Sequence, residues 1–398
     1  MRPQLLIYLM ILYSCTSTAQ DYSNDTSEYP NFRNKIKDQS FFIKMNPENK
    51  DALLKRSFYK QEIRDFIGSI EDLNIVLKLD PNDYQAVNSR AVAKRENTDY
   101  KGAIEDYTKA LTMKSDFIDA WYGRAGSYYD LGNYKQCILD LDKTIELSPS
   151  FGFAYSGRGD AKKDMKNFVE AIEDYTKAIA ISPSFKDAYQ GRAKCYDELE
   201  NNKSAIADYT KIIELSPQNS EDYEKAFLFR GFCKNKVENY KGGIADFNEV
   251  LKLNPKNAKA YNNRGMAKYL MGELQPALED MNIAVTLDPT YPQAYNKRGE
   301  VKIVMEEFKG GLEDLNKAIT LDSTNASAYL NRAAAKTGLK DLKGAIIDLN
   351  KSIELDPNEF QSYFNRGEVY KAMGEFQKAK GDYKIAERIK KNSGKIKK

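Results

Sequence analysis

The chain repeats itself every 34 residues, and this period restricts its fold more than any other feature. Each repeat closes with a proline, or a serine in its place, after a helical pattern. Successive marks are 34 residues apart, except for one gap of 38 between Pro217 and Pro255. The marks are Pro47, Pro81, Ser115, Pro149, Pro183, Pro217, Pro255, Pro289, Ser323 and Pro357. Ten full units follow, from Lys50 to about Lys391. Such a period predicts a solenoid, because no single unit can bury its apolar face without its neighbours.

Each unit has the pattern of two short amphipathic helices, A and B, joined by a turn. A bulky residue such as Trp121 opens helix A, and a small one such as Ala125 follows four places later. Asp, Asn or Glu occupies the turn, and Asp99 or Asn133 there suits the N-cap of helix B. The closing proline cannot continue helix B.

These units resemble the tetratricopeptide repeat family over about 340 residues. In one unit the family pattern is occupied by Trp121, Ala125, Tyr128, Cys137, Leu141 and Pro149. The resemblance implies an all-α, right-handed superhelical solenoid of about ten helix hairpins, with helix A lining the concave face. It also implies a scaffold that binds other proteins. Arg124 departs from the pattern, because the family has leucine at that place.

An arginine recurs at the Arg124 place in every unit, and an aspartate recurs in every helix B. The arginines are Arg56, Arg90, Arg124, Arg158, Arg192, Arg230, Arg264, Arg298, Arg332 and Arg366. The aspartates are Asp72, Asp106, Asp140, Asp174, Asp208, Asp246, Asp280, Asp314, Asp348 and Asp382. A guanidinium fork suits a carboxylate, so we predict a ladder of ion pairs, for example Arg124–Asp140 and Arg264–Asp280. Because it runs from end to end, we interpret the ladder as structural and not as a binding site.

The sequence divides into seven segments. They are a signal peptide at 1–19, a polar tether at 20–31, a capping half-repeat at 32–49, units one to five at 50–219, an insertion at 220–223, units six to ten at 224–391, and a basic tail at 392–398. We expect Phe41, Phe42 and Met45 of the half-repeat to pack on the first full repeat. The insertion is expected in the turn between units five and six.

The first residues have the pattern of an export signal. Arg2 precedes an apolar run at 5–13, which is too short to span a bilayer. Cleavage after Ala19 would leave Gln20 first; alternatively, residues 12–15 resemble a bacterial lipobox with Cys15 as the lipidated residue. Both alternatives predict an exported protein in the periplasm or at the outer membrane. Membrane contact is expected only through such a lipid or through the basic tail.

Composition excludes catalytic sites built on histidine, but not those built on carboxylates or cysteine. The chain has no histidine, which removes Ser-His, Cys-His and His-zinc sites. Cys137, Cys195 and Cys233 occupy small-residue core places and are expected to be buried thiols. The charge is nearly balanced at +3, which is unlike a dedicated nucleic-acid binder. We therefore predict no enzyme, no cofactor, no metal site and no nucleic-acid partner.

One surface feature is ordered along the array. The last turn of helix A carries an acid in the first five units and none in the last five, and these acids are Glu62, Glu96, Asp130, Asp164 and Glu198, here called the acidic stripe. An acid there opposes the helix dipole, so five in succession need an explanation. One explanation is attraction of a basic, extended segment, with Tyr122 and Tyr129 as aromatic anchors. The other is local neutralisation by Arg95, Lys163 and Lys194.

The sequence thus predicts a non-enzymatic scaffold that binds a partner protein in its concave groove. The second half of that groove is expected to be more apolar, with Phe232, Met266 and Tyr269. The alternative is a structural or carbohydrate-associated component of the cell envelope that has no specific peptide ligand.

Overall fold

The computed structural model describes residues 29–396, with side chains from 31 to 392, and these residues form 21 helices and no strand. The predicted all-helical repeat fold is therefore confirmed. The described residues divide into two compact units, one ending at Leu215 and the other beginning at Ser216. The predicted signal peptide, its alternative lipidation site Cys15 and residues 20–28 of the tether lie outside the described residues.

Unit one contains a single helix followed by five hairpins. Its helices are α1 (Tyr29–Met45), α2 (Lys50–Glu62), α3 (Phe66–Leu79), α4 (Tyr84–Glu96), α5 (Tyr100–Met113), α6 (Ile118–Asp130), α7 (Tyr134–Leu147), α8 (Gly152–Asp164), α9 (Phe168–Ile181), α10 (Lys186–Glu198) and α11 (Asn202–Leu215). The even-numbered helices are the A helices. Each packs on the B helix that follows it, and successive hairpins pack on each other. Helix α1 already begins at Tyr29, within the predicted tether.

Unit two contains five further hairpins. Its helices are α12 (Glu221–Lys236), α13 (Tyr240–Leu253), α14 (Ala258–Leu270), α15 (Leu274–Leu287), α16 (Pro292–Val304), α17 (Phe308–Leu321), α18 (Ala326–Gly338), α19 (Leu342–Leu355), α20 (Phe360–Ala372) and α21 (Phe376–Ile396). The insertion that we predicted in a turn is mostly helical. Ser220 caps α12, and Glu221–Tyr223 form an added first turn. Helix α12 therefore has 16 residues, whereas α14 has 13.

The turn from helix A to helix B uses a left-handed residue followed by a cap. Asp99 accepts a hydrogen bond from the N–H of Gly102 at 3.0 Å, as predicted. Asn133 also occupies the N-cap, as predicted, but its side chain makes no capping hydrogen bond. The reason is the third residue of helix B: a Cβ at Gly102 would lie 2.2 Å from the Asp99 carboxylate, and α7 carries Gln136 at the matching place.

The core consists of small residues on both helices and one large residue on helix B. Tyr107, Tyr175 and Phe247 are among the largest fully buried side chains. The three predicted thiols, Cys137, Cys195 and Cys233, are buried and unbridged, which confirms their assignment to the core. Burial raises the pKa of Cys137 to about 12 and that of Cys195 to about 11, so neither is a ready nucleophile.

Helix α1 covers the first hairpin, but not through the residues that we expected. Ile43 packs against the core cluster that contains Leu53, whereas Phe41, Phe42 and Met45 are 61%, 50% and 72% exposed. The expectation was wrong because of helical phase. With 3.6 residues per turn, Ser40 and Ile43 share the inward face, and the neighbouring Phe41 and Phe42 point away from it.

Candidate functional site

All ten predicted arginine–aspartate pairs are present as two-point ion pairs. In the pair that carries Arg124, Nε donates to Asp140 Oδ2 at 2.7 Å and Nη2 donates to Oδ1 at 2.8 Å. The same two bonds recur in every hairpin. The Asp140 side chain is 5% exposed and that of Arg124 is 14% exposed. These are inward, charge-assisted bonds that join helix A to helix B.

The arginines also clamp one hairpin to the hairpin before it, which the sequence reasoning missed. Arg264 Nη1 donates to Asn248 Oδ1, on the preceding helix B, at 2.6 Å. Arg56 makes the matching bond to Ser40 of α1 at 3.1 Å, so α1 serves as a substitute helix B. The described acceptors of this bond are Ser40, Asn74, Thr108, Asp142, Thr176, Asn248, Asn282, Asn316 and Asn350. All are polar, and this was the available sequence signal.

A second cation supports the aspartate in most hairpins. Lys268, one turn after Arg264, lies 2.8 Å from Asp280. The matching lysines are Lys60, Lys94, Lys162, Lys234, Lys302 and Lys336. Tyrosine replaces this lysine at Tyr128, Tyr196 and Tyr370. Burial raises the pKa of Asp140, whose arginine only partly offsets it, and the hairpin of Asp140 has Tyr128 in place of the lysine.

The acidic stripe lies where successive A helices of unit one meet, and the previous repeat contacts two of its members. Arg95 Nε donates to Asp130 Oδ2 at 2.7 Å. The Tyr129 hydroxyl donates to Asp164 Oδ2 at 2.5 Å, and Lys163 Nζ lies 3.9 Å from Asp164 Oδ1. The local-neutralisation interpretation therefore has support at these two positions.

The other stripe residues differ among themselves. Burial raises the pKa of Glu96, and the charge of Asp130 adds to this effect while Arg95 and Arg64 oppose it. Glu198 is exposed and makes no hydrogen bond or ion pair with any residue that the structure describes. Glu62 is half-buried. A carboxylate with a raised pKa and an exposed unpaired one both leave capacity for a partner's cation.

Further acids, not singled out from the sequence, lie on the same face of these A helices. Asp119 is half-buried in the first turn of α6, and burial raises its pKa. Asp160 accepts a hydrogen bond from the fully buried Tyr175 hydroxyl at 2.8 Å and pairs with Lys163 at 2.6 Å. The signal that could have found them is helical spacing, since positions three, four, seven and eleven residues apart share a face.

The two predicted aromatic anchors have defined neighbours. Tyr122 packs edge-on against Phe151, with ring centroids 5.1 Å apart. Tyr129 lies 5.4 Å from the ring of Tyr134, and its hydroxyl is committed to Asp164. Tyr129 is therefore part of the stripe's own bonding, and Tyr122 lies near Asp119 in the sequence of α6.

The apolar residues predicted in unit two are packed and not free. Met266 and Tyr269 contact the core cluster of Met281 and Val301. Phe232 lies beneath the Lys236 ammonium, 4.6 Å from its ring centroid. The exposed apolar side chains nearby are Leu270 and Val304, at 46% and 49%. Leu270 and Val304 occupy the stripe position in α14 and α16, so the same position carries opposite chemistry in the two units.

Within the described residues, no group of His, Cys, Asp and Glu is arranged to hold a metal ion. None of the helices between residues 29 and 396 combines the length and apolarity of a membrane-spanning segment.

Comparison with known proteins identifies the repeat. Family models described as tetratricopeptide repeat match residues 90–149, 154–185, 186–219, 236–292, 326–359 and 349–381, which is more than half of the chain. No curated protein sequence matches the chain.

Solved structures support the fold. A tetratricopeptide repeat protein from Parabacteroides merdae is 19% identical, with 68% of this chain and 98% of that chain aligned at a TM-score of 0.54. The APC/C hetero-tetramer Cut9–Hcn1 is 17% identical over 81% of this chain and 63% of that one, at a TM-score of 0.50. The family-model matches over more than half of the chain show that it belongs to the tetratricopeptide repeat family, and the solved structures agree with its fold.

Proposed function

We propose that this protein is a non-enzymatic scaffold that binds a basic, extended segment of a partner protein along the A-helix face of unit one. Tetratricopeptide arrays suggest a protein-interaction scaffold, and the family is generally non-enzymatic. The observation that carries the proposal is the run of acids at one A-helix position from α2 to α10, replaced from Lys236 onward.

Charge supports a cationic ligand despite the neutralised pairs. Arg95 and Lys163 compensate Asp130 and Asp164, but Glu96, Asp119 and Glu198 are not paired by any contact described above. Each acid at a helix C-terminus opposes the helix dipole, at a cost of a few tenths of a kcal/mol. A bound lysine or arginine would relieve that repulsion and would bind more rapidly because of long-range attraction.

The test compares two variants of equal charge. In the stripe variant, Glu62, Glu96, Asp130, Asp164 and Glu198 are changed to their amides. In the control, five exposed acids on B helices of the same unit are changed to glutamine, namely Glu71, Glu105, Glu170, Glu173 and Glu214. Full-length protein is used for crosslinking and affinity capture from native membranes, and for binding of fluorescent octalysine measured by anisotropy.

We expect the wild type and the control to capture the same protein and to bind octalysine, and the stripe variant to lose both. Binding should also weaken as salt is raised, since exposed charges are screened over about 10 Å at 0.1 M. Identical capture and binding by all three proteins would mean that the acidic stripe serves local charge balance and does not bind the partner. Capture of cell-wall material without any protein would instead favour a structural, carbohydrate-associated role.

We further propose that the protein acts outside the cytoplasm, in the bacterial cell envelope. Support comes only from the residue pattern at 1–19, which precedes the described part of the chain. Mass spectrometry of the mature N-terminus distinguishes the two routes. A chain beginning at Gln20 indicates secretion, a lipid-modified Cys15 indicates a lipoprotein, and an intact Met1 would contradict export by either route.

A further inference from the structure

Asn88, on α4, is a buried polar side chain whose oxygen lacks a partner. It is only 6% exposed, and its Oδ1 accepts no hydrogen bond. Buried amide oxygens in folded proteins are nearly always bonded, so an orphaned one needs an explanation. Asn88 lies one turn before Val92 on the A-helix face that precedes the stripe residue Glu96.

Comparison with the equivalent place in unit two shows what is missing. Asn296 occupies the same repeat position, and its Oδ1 accepts a hydrogen bond from Asn331 Nδ2, 35 residues later, at 3.0 Å. The residue 35 places after Asn88 is Gly123, which has no side chain to donate. A Cβ at Gly123 would lie 2.5 Å from the Tyr107 ring, so the chain itself has no room for such a donor.

The second comparison places a carboxylate on the nitrogen side of the same amide. Asn296 Nδ2 also contacts Ser327 Oγ, 31 residues later, at 3.4 Å. The residue 31 places after Asn88 is Asp119, in the first turn of α6. Helices α4 and α6 contact each other within unit one. By repeat register, Asp119 thus occupies the place where Asn296 Nδ2 meets Ser327, and no hydrogen bond joins Asn88 to Asp119.

Asp119 lacks a counter-ion as well. It is half-buried and makes no hydrogen bond or ion pair with any residue from 31 to 392. Its nearest charged influence is Lys114, whose ammonium is held over the rings of Tyr84 and Phe117, at 5.1 and 5.8 Å from their centroids. The Lys114 ammonium thus stays with the rings and leaves the carboxylate without a donor.

One kind of group would satisfy both acceptors. An ammonium offers three N–H donors and a guanidinium offers five, and either carries the charge that Asp119 lacks. We propose that Asn88 and Asp119 form a pocket between α4 and α6 that binds one cationic side chain of the partner segment. This inference rests on the proposed function and adds a fixed point at which the segment is held.

The test is binding of octalysine and, separately, octaarginine to the full-length protein, measured by fluorescence anisotropy. Asp119→Asn is compared with Glu198→Gln, which removes the same charge from an exposed member of the stripe. Asn88→Leu is compared with Asn262→Leu, which removes an equally buried and unpartnered oxygen at the same repeat position in unit two, where Gln293 stands at the place of Asp119. The two peptides distinguish an ammonium pocket from a guanidinium pocket. Thermal melting of each variant verifies its fold.

We expect Asp119→Asn and Asn88→Leu to weaken binding by at least about tenfold, and both controls by no more than about threefold. Asn88→Leu should not lower the melting temperature, because it removes an acceptor that has no partner. Equal losses for Asp119→Asn and Glu198→Gln would overturn the pocket and leave the acidic-stripe proposal standing. Failure of the wild type to bind either peptide would overturn both. A clear drop in melting temperature for Asn88→Leu would show that the amide is already paired and would also contradict the pocket.

Discussion

Arg264 and Arg124 each make the same two bonds to an aspartate, but only the aspartate of Arg264 is also contacted by a lysine. Without Arg264, Asp280 keeps Lys268 at 2.8 Å. Without Arg124, Asp140 is left with no lysine at the matching place, because Tyr128 stands there. A stranded buried charge costs about 3–5 kcal/mol. We therefore expect Arg124→Ala to approach that cost and Arg264→Ala to cost less, though still well beyond a surface change.

Urea unfolding of the two variants measures this difference, and octalysine binding checks that the folded proteins still bind. Lys135, on the same helix as Asp140, is exposed and makes no ion pair or hydrogen bond with a described residue, so Lys135→Ala is a suitable surface comparison. A melting temperature of Arg264→Ala within a degree of the wild type would contradict a structural role for the ladder.

The pKa of Asp140 leads to a pH prediction. Because burial raises its pKa in the folded state, its titration favours folding at low pH, and this contribution is lost as pH rises from the unfolded pKa through the raised one. Tyr128→Lys places a cation beside Asp140 and should remove the rise in the pKa of Asp140. Relative to the wild type, we expect the variant to gain about 1 kcal/mol of unfolding free energy between pH 3.5 and 7.

Tyr128→Phe is the control, because it alters packing and hydrogen bonding without adding a charge. Its stability difference from the wild type should be independent of pH over the same range. A constant difference for Tyr128→Lys as well would show that the lysine does not reach Asp140.

For individual residues, the sequence predicted the contacts made at positions that are constant in every repeat and missed those made at positions that vary. Arg124 and Asp140 were paired because both positions are constant in all ten units. The clamp to the preceding helix was missed because its acceptors include asparagine, threonine, serine and aspartate. Neutralisation by Arg95 was one of two alternatives, but its pairing with Asp130 of the next repeat and the bond from Tyr129 to Asp164 were not predicted. Both depend on how closely neighbouring A helices approach, and no single repeat encodes that distance.

Among the elements, the turn between helices A and B has the clearest local strain. Thr98 has φ of 62°, and the next repeat places Gly132 there with φ of 71°. A β-branched residue is poorly suited to the left-handed region, which costs a non-glycine residue about 1–2 kcal/mol. Glycine loses about 0.5–1 kcal/mol through its greater freedom when unfolded. Thr98→Gly should therefore raise the free energy of unfolding by about 0.5–1 kcal/mol.

The reciprocal change, Gly132→Thr, should lower the free energy of unfolding by a similar amount. Urea unfolding of the two variants measures both effects. Thr98 is exposed, and no hydrogen bond is shown for its side chain, so little else changes. If Thr98→Gly destabilises the protein, the backbone freedom of glycine outweighs the strain.

The positions of the helices were predictable from the sequence, but the face that each helix turns inward was less so. The spacing of the closing prolines and serines located every hairpin, since each of these marks lies just after a helix, whereas Pro276 lies inside α15 and Pro292 begins α16. The phase of α1 was misjudged because Phe41, Phe42 and Ile43 are adjacent apolar residues and only one can face the hairpin. Whether a turn residue caps helix B through its side chain depends on the residue three places later. Asp99 bonds to Gly102, whereas Asn133 has Gln136 at the same spacing and makes no such bond.

In the whole molecule, stability is expected to spread from one hairpin to the next. Within each unit, a hairpin contacts the hairpins beside it, and the arginine clamp joins a helix A to the helix B before it. In such an array, stability is roughly a sum of repeat terms and nearest-neighbour terms. A local defect should therefore raise local opening without lowering the stability of distant hairpins.

Hydrogen exchange on Arg264→Ala tests this directly, peptide by peptide. Removing Arg264 breaks its bonds to Asp280 and to Asn248, so α13, α14 and α15 lose a contact together. We expect faster amide exchange in these three helices, less in α16 and α17, and no change in α2–α5. A matched Arg90→Ala variant should reverse the pattern, with faster exchange in α3, α4 and α5 and none in α18–α21, because Arg90 bonds to Asp106 and Asn74. Uniform acceleration along the chain in either variant would mean that the array unfolds as one cooperative unit, and the nearest-neighbour description would then be wrong for this protein.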